Sequence, residues 1–285
     1  MLPSLFSRAG SFFFSLLLLL FISFSVSADL MLYPTRLVFE NNQRSAQLEL
    51  INNGNERATY RINIVNRRMS EIGEFSSAET PLPGEQFANA LLRYSPKQVV
   101  LEPGGSQTIR ISLRKPADLP VGEYRSHLQF DLVPEVTAAT DIDAESKKLG
   151  KDEIGIQLKA LIGVSIPVIV RHGETSANAV LSELKFLPAA GETPAMLSVA
   201  LQRSGNRSIY GDLAVTFTPK GSTREQEISK AGGVAVYVPN LLRRAKMELK
   251  PPKGVLLARG TLRVTYRERP EVGGQLLAET AIELP

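Results

Sequence analysis

Between Ile154 and Arg171 the chain reads IGIQLKALIGVSIPVIVR, and every even position from Ile154 to Val170 is apolar. The odd positions are mixed, with Gly155, Gln157, Lys159, Gly163, Ser165 and Pro167 among them. A period of two puts alternate side chains on one face of a β-strand. An average strand has about 5–6 residues, so this rhythm predicts a strand longer than one small sandwich usually covers.

Shorter alternating runs, rich in β-branched and aromatic residues, fill most of the remaining chain. In the first half they cover residues 31–40, 45–52, 58–66, 97–103, 106–114 and 124–133. In the second half they cover 180–188, 195–204, 211–219, 232–239, 244–250, 260–268 and 275–284. Turn residues separate them, including Asn52-Asn53-Gly54-Asn55, Pro103-Gly104-Gly105 and Pro120-Val121-Gly122. A brief helical turn is expected at NLLRR, residues 240–244. Regular strand spacing without a long helical period predicts an all-β protein of two immunoglobulin-like β-sandwich domains. The first spans residues 29–171 and contains a long mobile loop at 134–153, where the sequence turns polar and charged. The second spans 172–285, after a short polar hinge that begins at RHGETSANA.

The first 28 residues stand apart. Arg8 precedes an apolar run from Phe12 to Phe24, and Val26-Ser27-Ala28 supplies small residues at a cleavage site. This is the pattern of a cleavable secretory signal, and the run is shorter than the roughly 18 residues of a spanning helix. Export without membrane insertion is expected. With no cysteine and 43% hydrophobic residues, the exported part must be held by its cores rather than by disulfides. Charge is uneven: residues 29–171 carry 17 Lys and Arg against 18 Asp and Glu, and residues 172–285 carry 15 against 11. The second half's basic residues are scattered and few aromatics lie among them, which argues against a nucleic-acid groove.

Little in the sequence suggests chemistry. The two histidines, His127 and His172, share no metal-ligand spacing, and His127 reads as a structural residue in a strand. Asp141, Asp143 and Glu145 lack the glycine and the distal glutamate of a calcium loop. No nucleophile elbow or phosphate-cradling glycine loop occurs. No catalytic residue, metal or cofactor is expected. What remains is binding. A strand with an unpaired edge invites another chain, and Pro167 is a residue that sheets accept mainly at edges. Lending the N-terminal part of the long strand to a partner that lacks one would give affinity through main-chain hydrogen bonds and selectivity through alternate side chains. The alternative is an extracellular adhesin or carbohydrate-binding sandwich. Such proteins usually read sugars with exposed aromatics, whereas this chain has no tryptophan.

Four segments in order carry a resemblance: PTRLVFE (34–40), YSPKQVVLEPGGSQTIRIS (94–112), LPVGEYRSHLQFDLVP (119–134) and GVSIPVIVR (163–171). Together they resemble the PapD-like periplasmic chaperones of the chaperone–usher pathway, in a divergent archaic or alternative branch. The resemblance implies a boot-shaped pair of sandwiches that binds pilin subunits and passes them to an outer-membrane usher. It implies that Ile156, Leu158, Ala160, Ile162 and Val164 enter the subunit's groove, and that the free protein can associate with itself through the same exposed strand. It also implies that two basic residues hold the subunit's C-terminal carboxylate, the first matching Arg36. The place of the second falls on Pro167, so Lys159, Arg125 or Arg171 is expected to supply that charge. The acid that bridges the two domains in the family's best-known members aligns with Arg125, which predicts that this bridge is altered.

Overall fold

The computed structural model describes residues 30–134 and 163–285. The expected leader at 1–28, the expected loop at 134–153 apart from its first residue, and the predicted strand up to Ile162 lie outside the described residues.

The first sandwich packs two sheets. One has the order β1 (Leu30–Tyr33), β3 (Ser45–Asn52), β9 (Ser106–Leu113), β7 (Leu92–Ser95). The other has the order β2 (Leu37–Phe39), β11 (Gly163–His172), β10 (Gly122–Val133), β4 (Ala58–Val65), β8 (Gln98–Leu101). The run 31–40, expected as one strand, is two strands in opposite sheets, and the bend at Pro34-Thr35 carries the chain between them. Proline fixes its own φ and lacks the N–H that a continuous ladder needs. Inward side chains such as Phe39, Leu48, Leu50, Phe130 and Val168 are completely buried. Each fully buried side chain of this size contributes roughly 1.5–3 kcal/mol.

The second sandwich places β12 (Ala177–Leu187), β13 (Met196–Gly205) and β16 (Leu242–Glu248) against β15 (Gln226–Val236), β14 (Ile209–Pro219), β17 (Gly260–Glu268) and β18 (Leu276–Leu284). Leu197, Leu201, Val215, Phe217 and Tyr266 fill its separate core. The helical turn expected at 240–244 is absent. Leu242–Arg244 open β16, pairing with Ala200–Gln202 of β13.

Residues 173–176 join the sandwiches. Gly173 takes φ +67°, and a Cβ there would come within 2.7 Å of Val121 Cγ2, so the link turns tightly where only glycine fits. A two-stranded hairpin, β5 (Arg67–Met69) and β6 (Phe75–Ser77), crosses from the first sandwich to the second. The backbone N–H of Arg244 donates to Glu71 O at 2.7 Å, and Asn240 Nδ2 donates to Met69 O at 2.6 Å. A third apolar cluster, of Met69, Ile169, Ala235 and Tyr237, seals the joint.

Candidate functional site

Strand β11 is the starting point because both of its faces and one of its edges are used differently along its length. Its even face enters the first core: Ile166, Val168 and Val170 are buried. Its odd face meets the second sandwich at Ile169, which is fully buried in the joint. Strand β10 pairs with it over its whole described length, from Gly122↔His172 to Asp131↔Gly163. On the opposite edge β2 pairs in parallel with Val168, Ile169 and Val170 alone. Residues 163–167 therefore have no strand on their outer edge among the described residues. The even face leaves the core over the same stretch: Ile166 is 3% exposed and Val164 is 38% exposed.

Beside this strand, two polar clusters occupy the joint. In the first, Glu123 at the start of β10 is buried and accepts from Arg171 Nε at 3.1 Å and from the Ser208 backbone N–H at 3.1 Å. The Ser208 hydroxyl donates to the other carboxylate oxygen, and Arg171 also pairs with Glu40. Arg203, buried nearby, donates to the backbone carbonyls of Asn240, Gly205 and Arg207. The acid of the bridge between sandwiches is thus Glu123. Arg125, two residues along the same strand, lies outside this bridge and against the Tyr237 ring. Arg171, with two carboxylates on its guanidinium, has its charge fully engaged.

The second cluster surrounds Tyr237. The Arg36 guanidinium lies 4.4 Å from the Tyr210 ring centre and 5.4 Å from that of Tyr237, and Nη1 donates to the Tyr237 hydroxyl at 3.2 Å. The Arg125 guanidinium lies 4.2 Å from the same Tyr237 ring. Phe75, at the edge of the β5–β6 hairpin, stands 5.9 Å from the Arg125 guanidinium and meets His127 edge-on at 5.3 Å. Arg125 and His127 are 8% and 3% exposed. Among the described residues, the buried side-chain nitrogens without a partner are Arg67 Nε, Arg125 Nε and Nη1, His127 Nδ1 and Arg243 Nε. Burial, followed by the charges of Arg125, Arg67 and Arg36, pushes the imidazole of His127 down to about 3. Burial also lowers Arg125, and the neighbouring Arg36 adds to that.

The structure therefore brings Arg36 and Arg125 to one aromatic ring and leaves Arg171 in the other cluster. Val164 sits at the open end of β11. Ile156, Leu158, Ala160, Ile162 and Lys159 lie outside the described residues. Sequence reasoning passed over Glu123, Ser208, Phe75, Tyr210 and Tyr237, and it assigned His127 a structural place. The signal available was the outward row of β10, where Glu123, Arg125, His127, Gln129 and Asp131 alternate with inward side chains. Among the described residues no group of three His, Cys, Asp or Glu side chains converges as a metal site would require. No helix among them is long and apolar enough to cross a membrane.

No family model matches this chain, and no curated protein matches it. Among solved structures, it is similar to the YadV chaperone at 13% identity and TM-score 0.45, covering 90% of this chain and all of that one. The Pseudomonas aeruginosa CupB2 chaperone is similar at 15% identity and TM-score 0.44, covering 90% of this chain and all of that one. A CsuC–CsuE chaperone–tip subunit pre-assembly complex from Acinetobacter baumannii matches at 13% identity and TM-score 0.41, over 90% of this chain and 98% of that one. The two-sandwich fold itself is read from the strand order and the two separate cores of this chain.

Proposed function

We propose that this protein is a non-enzymatic periplasmic chaperone that lends the strand ending in β11 to pilin subunits lacking one. It keeps them from aggregating and delivers them to an outer-membrane usher. The observation that carries this reading is the open end of β11. Residues 163–167 are held by β10 on one edge and offer the other, while the apolar even face passes from the core at Ile166 to the surface at Val164. The alternation continues in sequence back to Ile154, so Ile156, Leu158, Ala160 and Ile162 are the residues proposed to fill the subunit's groove. Main-chain pairing on the free edge gives affinity, and the side-chain row gives selectivity. Arg36 is proposed to hold the subunit's terminal carboxylate from the cleft, since a guanidinium fork matches a carboxylate.

The test is co-expression in the periplasm with a pilin subunit encoded beside this chain's gene. Soluble subunit and a stable complex on size exclusion are expected. Ile162→Glu and Val164→Glu should abolish the complex while leaving the chaperone's own thermal unfolding unchanged. A subunit equally soluble with these variants, or with no chaperone, overturns the proposal.

A further inference from the structure

The β5–β6 hairpin is rooted firmly in one sandwich and rests lightly on the other. At its root, Arg68 donates to Glu85 at 2.6 Å through each of two nitrogens, and the Glu85 side chain is almost completely buried. Arg68 Nη2 also donates to Thr80 O at 3.2 Å. Asn66 Oδ1 accepts from the Ser126 hydroxyl at 2.6 Å, and Arg67 Nη2 donates to Gln129 at 2.7 Å. All of these partners lie in the first sandwich or its loops. The arm above the root is stiff. Its two strands pair from Arg67↔Ser77 to Met69↔Phe75. Ser70 then closes the turn: its N–H donates to Glu74 O at 2.8 Å, its carbonyl accepts from the Gly73 N–H at 3.0 Å, and its hydroxyl accepts from the Glu74 N–H at 3.1 Å.

The tip lands on an edge of the second sandwich. Strand β16 ends the sheet β12-β13-β16, and the Arg203 N–H donates to Leu241 O at 2.8 Å. In an antiparallel ladder the pairs alternate, so Leu242, Arg244 and Lys246 turn their backbone groups away from β13. The Arg244 N–H is one of those outward groups, and Glu71 O takes it at 2.7 Å, as an added strand would. The tip thus covers part of an edge that would otherwise invite another chain. Asn240 Nδ2 holds Met69 O at 2.6 Å, and the Glu71 carboxylate lies 3.7 Å from Arg244 Nε, with both side chains about half exposed. Gly73 lies on the Arg243 guanidinium: its φ is +90°, and a Cβ there would stand 2.5 Å from Nη2. Only glycine lets the turn settle so low. Apart from Met69, the tip is held by single hydrogen bonds and an exposed ion pair, which are weak fastenings.

Elsewhere in the joint, residues 173–176 and the bonds from Ser208 to Glu123 tie the sandwiches together at the start of β10. Phe75 of the hairpin meets His127, four residues further along that strand and roughly 13 Å away. A pin at one place and a stiff arm at another define an angle. We infer that the β5–β6 hairpin is a clasp: its tip on β16 sets the angle between the two sandwiches, and its release lets them swing about the linker as intact bodies. Hinges absorb such motion in a few residues while the packed units stay whole. The two large cores share no residue, and only the small cluster of Met69, Ile169, Ala235 and Tyr237 spans them. Gly73, Asn240 and Arg244 hold the clasp, and none of them belongs to the strand proposed to be lent. The clasp rests on the joint alone and stands whether or not the protein is a chaperone.

The chain has no cysteine, so one spin label can be placed on each sandwich, at Gln47→Cys in β3 and Lys230→Cys in β15, both exposed strand positions. Electron–electron dipolar spectroscopy on this doubly labelled parent reads the distance between the sandwiches, and one narrow distribution is expected. Gly73→Val lifts the tip off Arg243 and should shift that distribution and broaden it about twofold or more. Asn240→Ala combined with Glu71→Lys leaves the turn glycine in place and should broaden it by less. In both variants the ¹H–¹⁵N amide signals of β9 and β14, one strand from each core, should keep their native positions. A native distribution in both variants overturns the clasp and leaves the angle to Glu123 and the linker. A parent as broad as the variants overturns it too, because the tip then holds nothing. Loss of the β14 signals in step with the broadening also overturns it, since the hairpin would then belong to the second sandwich's fold.

Discussion

The joint between the sandwiches holds two clusters built from similar parts with opposite bookkeeping. Around Glu123, the Arg171 guanidinium, the Ser208 hydroxyl and the Ser208 N–H all converge on one buried carboxylate. Around Tyr237, Arg36 and Arg125 share a ring, and Arg125 and His127 keep nitrogens that nothing among the described residues satisfies. Complete pairing marks the first as a fastening, because a buried ion pair is stable only when its remaining hydrogen-bonding capacity is met. Incomplete pairing in the second marks a place where stability has been given up, which proteins tend to do where something binds.

This contrast can be broken from either side. The largest effect is expected at the fastening: Glu123→Ala strands Arg171 and the Ser208 N–H, and should cost about 3–5 kcal/mol in urea unfolding. Far-UV circular dichroism is the probe, since the chain lacks tryptophan. If the sandwiches remain folded but come apart, the single transition should split in two.

The next effect concerns pH. The folded imidazole of His127 is depressed to about 3, against about 6.5 in an unfolded chain. Protonation therefore favours unfolding. This contribution is complete above pH 6.5 and is lost as pH falls from there toward 3. Between pH 7 and pH 5 the loss is about 2 kcal/mol, and His127→Gln should flatten that slope. A wild-type slope retained in the variant would assign the acid sensitivity to other groups.

In the open cluster, removing a charge should help. Arg125→Met replaces an unsatisfied buried cation with an apolar side chain of similar length, and a gain of about 1 kcal/mol is expected, raising the melting temperature by about 2–4 °C. A clear loss of stability would mean that Arg125 serves the fold. The smallest effect is at Arg36→Ala, below about 1 kcal/mol, since it removes ring contacts and one hydrogen bond from a partly solvated group.

Most of the strand framework was legible because alternation is a local property: the inward rows of β3, β9, β10 and β14 can be read two residues at a time. Two readings went astray and one hairpin went unread, each for a nonlocal reason. The run 31–40 reads as one apolar strand, yet its halves belong to different sheets, and the partner strands decide that. NLLRR lacks an alternating signal, and pairing with β13 makes it a strand. The short β5–β6 hairpin, whose Phe75 covers the open cluster, has too few residues to display a period.

The candidate site divides the same way. The long two-residue rhythm ending in β11, the scarcity of catalytic motifs, and Arg36 and Arg125 as candidate cations were all legible in the order of residues alone. What those charges meet depends on how the two sandwiches pack together. Glu123, Arg125 and His127 lie on the outward face of their own sandwich, where sequence patterning predicts solvent. They are buried because a second sandwich and a hairpin close over them, a burial with no local periodicity to announce it. Which arginine found two carboxylates and which found none was settled by two residues of register along β10.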